Sequence, residues 1–395
     1  MSKPDARVPG GVSLGRWAGI PVTLDWSLLI IFALVLFNLG AGVLPEWHPA
    51  WAPWLTWSVA FGAAVLFFLS VLLHELSHAL VGRLFGIPVS RITLFLFGGM
   101  AHTDEEAPSP KAEFWMAIAG PIASMVIGVG ALLLGVGLMS VSMAQLDAPT
   151  EVMSHVGPLA TLLLWLGPIN IVLAVFNMIP GFPLDGGRVL RAAIWAATGD
   201  LGKATKWASY SGQGFAALMI AYGLFSAFTS GFSGIWLVLI GWFLWRAARG
   251  SYQQLLVMQA LEGAKVHDVM RRHLAWVRPE ISVASLVSEH FMRSDQRAFP
   301  VLGEGGVLVG LVTVTDVQRL PQERRATATV AEIMTPVSEL EQIGEDAPAS
   351  DALQKLGARD VDQVPVVDGR GTLLGLVRRQ DILRWLTLRD PRQPA

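Results

Sequence analysis

The sequence predicts a polytopic α-helical membrane protein, with about six transmembrane helices and a short membrane-associated β element, followed by a soluble α/β module. The chain has 395 residues, 53% of them hydrophobic, and a mean hydropathy of +0.50. It is too apolar for an ordinary soluble protein of this length. Residues 1–250 carry 24 charged side chains, whereas residues 251–395 carry 36. We therefore expect a transmembrane domain over residues 1–250 and a soluble region after it.

Six apolar segments before residue 250 approach the roughly twenty residues that a helix needs to cross a bilayer. The polar stretch Met1–Gly19 precedes them and lacks a convincing cleavage site, so we expect a retained cytoplasmic tail. Small residues around Gly120 in the third segment predict close helix packing and not chemistry. The six segments are Leu24–Leu44, Trp54–Val81, Phe114–Met139, Leu159–Ile179, Tyr210–Thr229 and Phe232–Ala248.

The positions of basic residues predict the orientation of these segments. Lys and Arg are absent from Gly40–Pro53, Leu138–Trp165 and Ser226–Trp245. By the positive-inside rule, both termini and the soluble region then lie in the cytoplasm. The basic residues fall in the alternate connections: Arg83, Arg91 and Lys111, then Arg188, Arg191, Lys203 and Lys206, then Arg246 and Arg249.

The second segment contains His74-Glu75-Leu-Ser-His78, a His-Glu-x-x-His pattern. Residues i and i+4 share one helix face, so both imidazoles can reach one metal ion, with Glu75 beside it as a proton acceptor. Such patterns also occur by chance, and the histidines could then be core residues. Ionisable groups at membrane depth are costly and usually functional, which favours a metal site. Because the chain has no cysteine, the ligands must be His and carboxylate.

The stretch from Ile92 to His102 alternates in polarity and contains the pair Gly98-Gly99, which predicts a strand and a turn. Unpaired strand backbone cannot face lipid, so this piece should pack on protein or line a cavity, where its edge could hold an extended peptide. An amphipathic loop on the membrane surface is an equally good interpretation. We expect His102 to lie in a solvated loop and not to bind the metal.

The fourth segment ends in a second polar group, Asn177-Met-Ile-Pro-Gly-Phe-Pro-Leu-Asp185-Gly-Gly. Its prolines end the regular helix, and its glycine pair permits a turn. Asp185 should reach the depth of the histidine pair, where two His and one carboxylate would leave a fourth zinc position open. Alternatively, Asp185 caps the next helix. Asn177 could bind a substrate carbonyl or make an interhelical hydrogen bond.

Together, these motifs resemble the site-2 protease family of intramembrane zinc metalloproteases over about residues 15–250. The resemblance implies one Zn²⁺ per chain, the plasma membrane of a prokaryote, and transmembrane substrates such as anti-sigma factors or membrane-tethered transcription regulators. The implied site residues are His74, His78 and Asp185 as zinc ligands, Glu75 as the general base, and Asn177, Phe97, Gly98 and Gly99 as substrate-binding residues.

The soluble region contains an internal repeat. Phe299-Pro-Val301 recurs as Val364-Pro-Val366, and Gly310-Leu-Val recurs as Gly375-Leu-Val, each 65 residues later. The duplication predicts two β-α-β-β-α units, over residues 264–322 and 328–389, that pair face to face.

The repeat resembles a tandem CBS-domain pair. In that family the cleft often binds adenosine nucleotides such as ATP or AMP, which implies nucleotide-binding roles for Thr313 and Asp316 in the first repeat and Asp381 in the second. Arg378 stands where Thr or Ser is usual, which puts the second site in doubt. Asp316 and Asp381 could instead cap helices without any ligand, and some CBS pairs mediate homodimerisation.

The sequence thus predicts an intramembrane zinc endopeptidase gated by adenine nucleotide at the CBS pair. The alternative is a CBS-regulated membrane channel or transporter in which the His/Glu/Asp group lines an ion pathway. Such proteins usually carry internal transmembrane repeats, and the sequence has none. We expect a transmembrane protein substrate and membrane lipid as partners. The net charge of −2 predicts no direct contact with nucleic acid.

Overall fold

Long apolar helices make up most of the chain before residue 254. The computed structural model of the protein describes residues 11–96, 98–103, 106–139, 153–230, 233–294, 296–358 and 362–389. They divide into two units, with the boundary between Gln253 and Gln254. The helices that begin in the first unit are α1 Leu28–Trp47 (with a π-helical turn), α2 Pro53–Leu84, α3 Pro110–Gly137, α4 Pro158–Asn177, α5 Asp185–Thr198, α6 Leu201–Ser230 and α7 Ser233–Leu261.

Five of these helices are long and apolar enough to cross a membrane, namely α1, α2, α3, α4 and α6. They correspond to five of the six predicted segments. The sixth, Phe232–Ala248, differs: its described part folds as the beginning of α7, which is not among the five. Three tryptophans and Arg246 dilute its apolar run, and the helix continues without a break into the polar residues after Ser251.

A four-stranded sheet packs against the helices of the membrane unit. Its order is β1-β2-β3-β4, with β2 and β3 parallel and the other pairs antiparallel. Ile20 and Ile92 are fully buried and pack with Leu72 of α2 in one apolar cluster. The strands are β1 Gly11–Trp17, β2 Ile20–Asp25, β3 Val89–Phe95 and β4 Gly98–Thr103.

The sheet extends the β element that the sequence predicted. The expected strand and turn are the hairpin β3–β4. The first two strands were not expected, because residues 11–25 were assigned to a polar tail and to the start of the first span. A bulge at Gly15, where φ is +82°, and the turn at Gly19, where φ is +77°, interrupt the alternation that would otherwise mark two strands.

Small residues bring α3 close to its neighbours. It packs against α2, α4 and α5, and so lies at the centre of the membrane unit. At its crossing with α4, a Cβ on Gly167 would lie 3.0 Å from the carbonyl oxygen of Gly128. Gly128 and Gly167 thus allow the backbones of α3 and α4 to come close together.

The second unit contains two hairpins in two separate sheets. The first sheet has the order β5-β6-β7, and the second consists of β8 and β9. The strands are β5 Ala298–Leu302, β6 Leu308–Thr313, β7 Thr335–Pro336, β8 Gln363–Val367 and β9 Leu373–Arg378. The helices are α8 Val266–Val269, α9 Val283–Ser285, α10 Val314–Arg319, α11 Val330–Ile333, α12 Ala349–Ala358 and α13 Arg379–Arg389.

The two repeats exchange their first segments. Arg271, from the first repeat, pairs with Leu376 in β9 of the second. Thr335, from the second repeat, pairs with Leu311 in β6 of the first. The apolar cores follow the same exchange, since Val266 packs in the core of the second repeat. Each core is therefore built from both repeats.

Candidate metal centre

Three donor atoms from two helices converge inside the membrane unit. The distance from His74 Nε2 to Asp185 Oδ2 is 3.1 Å, from His78 Nε2 to the same oxygen 3.3 Å, and between the two Nε2 atoms 3.1 Å. Both histidines are more than nine-tenths buried. Among the described residues, this group alone combines three such donors, and His102 is not part of it.

The donor set fits a zinc ion. Nδ1 of His78 lies 2.6 Å from the carbonyl oxygen of Met116, which can only accept, so Nδ1 carries the proton and the lone pair of Nε2 faces the cluster. That lone pair faces a carboxylate oxygen and the Nε2 atom of His74. Donor atoms that face one another in this way are stabilised by a cation between them. Tetrahedral zinc with bonds near 2.0–2.1 Å requires ligand separations of about 3.3 Å, close to those observed.

Helix α3 supplies the surroundings of both imidazoles. Ser124 Oγ lies 2.9 Å from His74 Nδ1, and Met116 orients His78. Gly120 faces the donors: a Cβ there would lie 2.6 Å from His74 Nε2 and closer still to that of His78. The prediction that the Gly120 region serves packing alone is therefore incomplete. Gly120 and Ser124 lie four positions apart on one face of α3. This pair of small residues was the signal in the sequence for a helix face that approaches the imidazoles.

Asp185 is the first residue of α5, and a tightly packed loop brings it to the histidines. A Cβ on Gly186 would collide with the backbone of Met178, and one on Gly187 with the backbone of Gly181 and Phe182. The amide of Phe182 donates to the carbonyl oxygen of Ala208 in α6 at 3.1 Å. The glycine pair thus permits close approach of loop and helix in addition to the predicted turn.

A buried ion cluster ties α5 to α3 next to the donors. Glu113, in the first turn of α3, is completely buried. Its Oε1 accepts from Nε of Arg191 at 2.6 Å and also pairs with the Nη2 atom of that residue. Arg188 Nε lies 3.9 Å from the same oxygen. Because Arg188 and Arg191 follow Asp185 along α5, the cluster restrains the helix that carries the third donor.

Glu75 follows His74 on α2 and contacts the outer strand of the sheet. A Cβ on Gly99 would lie 2.7 Å from Cδ of Glu75, so only glycine allows β4 to come this close. Gly98, also in β4, has a φ of +126°. Phe97, the third residue assigned to this strand, lies outside the described residues. Sheet order leaves one side of β4 without a partner strand in the described part of the chain.

Asn177 is the last residue of α4. Its Nδ2 donates to the carbonyl oxygen of Leu173 at 3.1 Å, within its own helix. Within the described ranges it makes no hydrogen bond to the three donors. The structure therefore brings His74, His78 and Asp185 together, but it does not bring Asn177 into the cluster.

The predicted nucleotide residues lie in the soluble unit. Thr313 and Asp316 form a reciprocal cap at the start of α10: the Thr313 amide donates to Oδ2 of Asp316 at 2.9 Å, and the Asp316 amide to Oγ1 of Thr313 at 3.3 Å. Asp381 is held by Arg378 through two bonds of 2.7 and 2.8 Å. Hydrogen bonding to the Asp381 carboxylate raises the pKa of Arg378. This geometry agrees with the capping alternative for Asp316.

A cavity of about 240 Å³ lies beside Asp381 in this unit. Arg271 and Arg378 line it, and Arg271 Nη2 lies 3.6 Å from the carboxylate of Asp381. Gln296 and Gln363 add two amide side chains. The cavity is therefore basic and polar on one side.

Comparison with known proteins identifies both parts. Residues 62–221 match peptidase family M50, and residues 266–323 and 330–388 match the CBS domain. Rip3 of Mycobacterium tuberculosis, named as a zinc metalloprotease, is 32% identical over 97% of this chain and 94% of its own length. The protein sll0528 of Synechocystis, named likewise, is 30% identical over 95% of each chain. The site-2 protease from Methanocaldococcus jannaschii is 29% identical, with 61% of this chain and 95% of that structure covered and a TM-score of 0.42.

Rip3 and sll0528 are zinc metalloproteases by name, which confirms the prediction of an enzyme over that of a CBS-regulated channel. The five apolar helices make the chain an integral membrane protein. The chain belongs to peptidase family M50, the site-2 protease family of membrane zinc metalloproteases, and carries a tandem CBS pair.

Proposed function

We propose that this chain is an intramembrane endopeptidase that hydrolyses peptide bonds within or near transmembrane segments of membrane-tethered regulators. The convergence of three donor atoms within 3.3 Å of one another, two of them on buried histidines, carries the proposal. His74, His78 and Asp185 would hold the zinc ion. When bound, zinc supplies Lewis-acid activation of water and of the scissile carbonyl.

Glu75 is the general base of this mechanism. It takes a proton from the attacking water and delivers it to the leaving amine. The neighbouring residues fix the imidazoles for this chemistry: Met116 sets the tautomer of His78, and Ser124 bonds to the ring of His74. The histidines are buried and the two carboxylates partly buried, so the charges of Glu75 and Asp185 act at a lower dielectric than in bulk water.

The outer strand β4 binds the substrate backbone. A transmembrane helix satisfies its own peptide groups, so a local segment must unwind before attack. The unpaired edge of β4 offers hydrogen bonds to that segment in extended form, and Gly99 places this edge against Glu75. Asn177, at the end of α4, contributes its side-chain amide once it leaves the Leu173 carbonyl.

Substitution of the base tests the mechanism. We expect Glu75→Gln to abolish the release of substrate fragments while the protein keeps one zinc per chain. Proteomics of membrane and soluble fractions, with wild type and Glu75→Gln, identifies the substrate as the fragment present only with wild type. Glu46→Gln, at an exposed glutamate in α1, is the matched control. Full cleavage by Glu75→Gln, or fragments lost equally with Glu46→Gln, would contradict the proposal.

We further propose that adenine nucleotide binds the soluble unit and gates cleavage. The cavity beside Asp381 supports this, because Arg271 and Arg378 suit a phosphate group that would compete with the Asp381 carboxylate. Calorimetry of the full chain with AMP and ATP measures binding. We expect Arg378→Ala to weaken it at least tenfold, and Arg272→Ala, at an exposed arginine, to leave it unchanged. Equal affinities for both variants would refute the assignment.

The expected orientation and partners complete the proposal. Both termini and the CBS pair lie in the cytoplasm of a prokaryote, as the distribution of Lys and Arg indicates. The substrate is a transmembrane protein such as an anti-sigma factor. The CBS pair also offers a surface for homodimerisation. Labelling of single introduced cysteines with an impermeant thiol reagent tests the orientation, because the natural chain has none.

A further inference from the structure

A groove of about 860 Å³ runs between α6 and α7, and none of the metal-centre residues lines it. Its α6 wall is apolar, with Ile220 and Leu224 beside two alanines. Its α7 wall carries Trp242 and Trp245, followed by Arg246 and Arg249. The groove therefore combines hydrocarbon-like walls with a pair of guanidinium groups.

The apolar and charged parts lie at opposite ends of the groove. The two helices are antiparallel, since Gly223 of α6 approaches the backbone of Gly234, and Gly241 of α7 approaches Ile220. Leu224 therefore lies near the α6–α7 connection, whereas the arginines lie towards the far end. The guanidinium of Arg246 stacks over the ring of Trp242, with 5.3 Å between its central carbon and the ring centroid.

Neither arginine has an acidic partner among the described residues. In the described part of the chain, no carboxylate oxygen lies within 4.0 Å of Arg246 or Arg249, although the basic residues of α5 are paired with Glu113. Arginine binds phosphate oxygens through two parallel hydrogen bonds and is weakly hydrated. Tryptophan favours the depth at which phospholipid headgroups begin. Two guanidiniums without an acidic partner in the described residues, beside two tryptophans, thus suit an anionic group at the depth that tryptophan favours.

We propose that this groove binds one anionic glycerophospholipid. Arg246 and Arg249 hold the headgroup phosphate, and an acyl chain lies along Ile220 and Leu224. A basic pocket between membrane helices recognises lipid headgroups in this way. The volume of the groove suits part of a phospholipid, with the remainder in the bilayer. An apolar transmembrane segment of another protein would fill the walls but leave both guanidiniums unpaired.

Native mass spectrometry of the full-length protein tests this proposal. The delipidated protein is titrated with phosphatidylglycerol and, separately, with phosphatidylcholine of the same acyl chains. We expect one tightly held phosphatidylglycerol per chain, with an affinity at least about tenfold above that for phosphatidylcholine. Arg246→Gln/Arg249→Gln should remove this preference. Ala217→Phe, which fills the apolar wall, should weaken both lipids, and inorganic phosphate should not compete at millimolar concentration.

The control pair is Lys111→Gln/Lys203→Gln, which removes the same charge at exposed positions outside the groove. It should keep the affinity for phosphatidylglycerol within twofold of wild type. Equal losses in both double variants would mean general charge attraction and would overturn the proposal. So would unchanged binding in Ala217→Phe, competition by inorganic phosphate alone, or displacement of the lipid by an uncharged transmembrane peptide. Because binding is measured without cleavage, these outcomes are independent of the protease mechanism.

Discussion

Replacement of Gly120 by alanine should empty the metal centre without unfolding the protein. A Cβ at this position would lie 2.6 Å from Nε2 of His74. Ordinary van der Waals contact needs about 3.5 Å, so the imidazole would have to move by about 0.9 Å. Metal–ligand distances tolerate only about 0.2 Å. The same methyl group also collides with His78, so neither ring can yield towards the other.

The expected effect is a loss of zinc affinity of at least about 100-fold, the upper end of what the loss of an outer ligand partner costs. This corresponds to about 2.8 kcal/mol of binding free energy. Competition with a chromophoric chelator measures the affinity, and elemental analysis measures the zinc content per chain. Cleavage activity should fall in parallel with zinc occupancy.

Gly130→Ala is the matched control, because Gly130 lies in the same helix and a Cβ there has no atom within 4 Å. Alanine is favoured over glycine within a helix by about 1 kcal/mol, so neither variant should lose helical structure. Wild-type zinc affinity in a folded Gly120→Ala protein would refute the geometry of the centre. Equal zinc loss in Gly130→Ala would show that α3 as a whole, and not the contact with the histidines, controls binding.

Three further outcomes follow from the described contacts. Gly99→Ala should displace the Glu75 carboxylate and lower kcat by about 100-fold with unchanged zinc content, as measured by steady-state kinetics and elemental analysis. Glu113→Gln should leave the partly buried Arg191 without its charged partner and lower the free energy of unfolding by about 3 kcal/mol in denaturant titration. A fragment of residues 328–389 should show no cooperative thermal unfolding, because the core of that repeat needs residues 261–269.

Each of these three predictions has a control variant or a control fragment. Met100→Ala changes an exposed side chain in β4. A similar fall in kcat in this variant would show that the loss in Gly99→Ala does not come from displacement of Glu75. Glu46→Gln removes an exposed carboxylate, so an equal destabilisation would argue against the buried cluster. The fragment 254–395 contains both exchanged segments. If it unfolds no more cooperatively than residues 328–389, the exchange does not stabilise the soluble unit.

The sequence was most informative where one local pattern determines one feature. Apolar length predicted five spans that the structure describes as helices, and the i, i+4 spacing of His74 and His78 predicted that their imidazoles meet. Asp185 was predicted at their depth from the loop charges. The strands β1 and β2 were missed, because their positive-φ turns break the alternation within only fifteen residues. The described part of the predicted sixth segment is the beginning of α7, a helix that continues to Leu261, because hydropathy alone does not mark where a helix ends.

What the sequence did not reveal depends on contacts between distant segments. Gly120 is 46 residues from His74, and nothing local distinguishes a glycine that faces an imidazole from one that faces a helix. The pairing of Glu113 with Arg191 spans 78 residues. The exchange between the CBS repeats is also hidden, because the duplication indicates two equal units whereas the cores combine segments from both.

Two glycines show why the metal centre and the substrate strand depend on each other. Gly120 lets α3 approach the Nε2 atoms of His74 and His78, and Gly99 lets β4 approach the carboxylate of Glu75. Because these three side chains lie on adjacent turns of α2, a shift of that helix would disturb both contacts. In the proposed mechanism, a substrate strand added to β4 would meet the base Glu75, whose position is fixed by the same helix that carries His74 and His78. The proposed mechanism would thus couple the positions of the attacking water and of the substrate peptide through α2, and such positioning is what catalysis of hydrolysis requires.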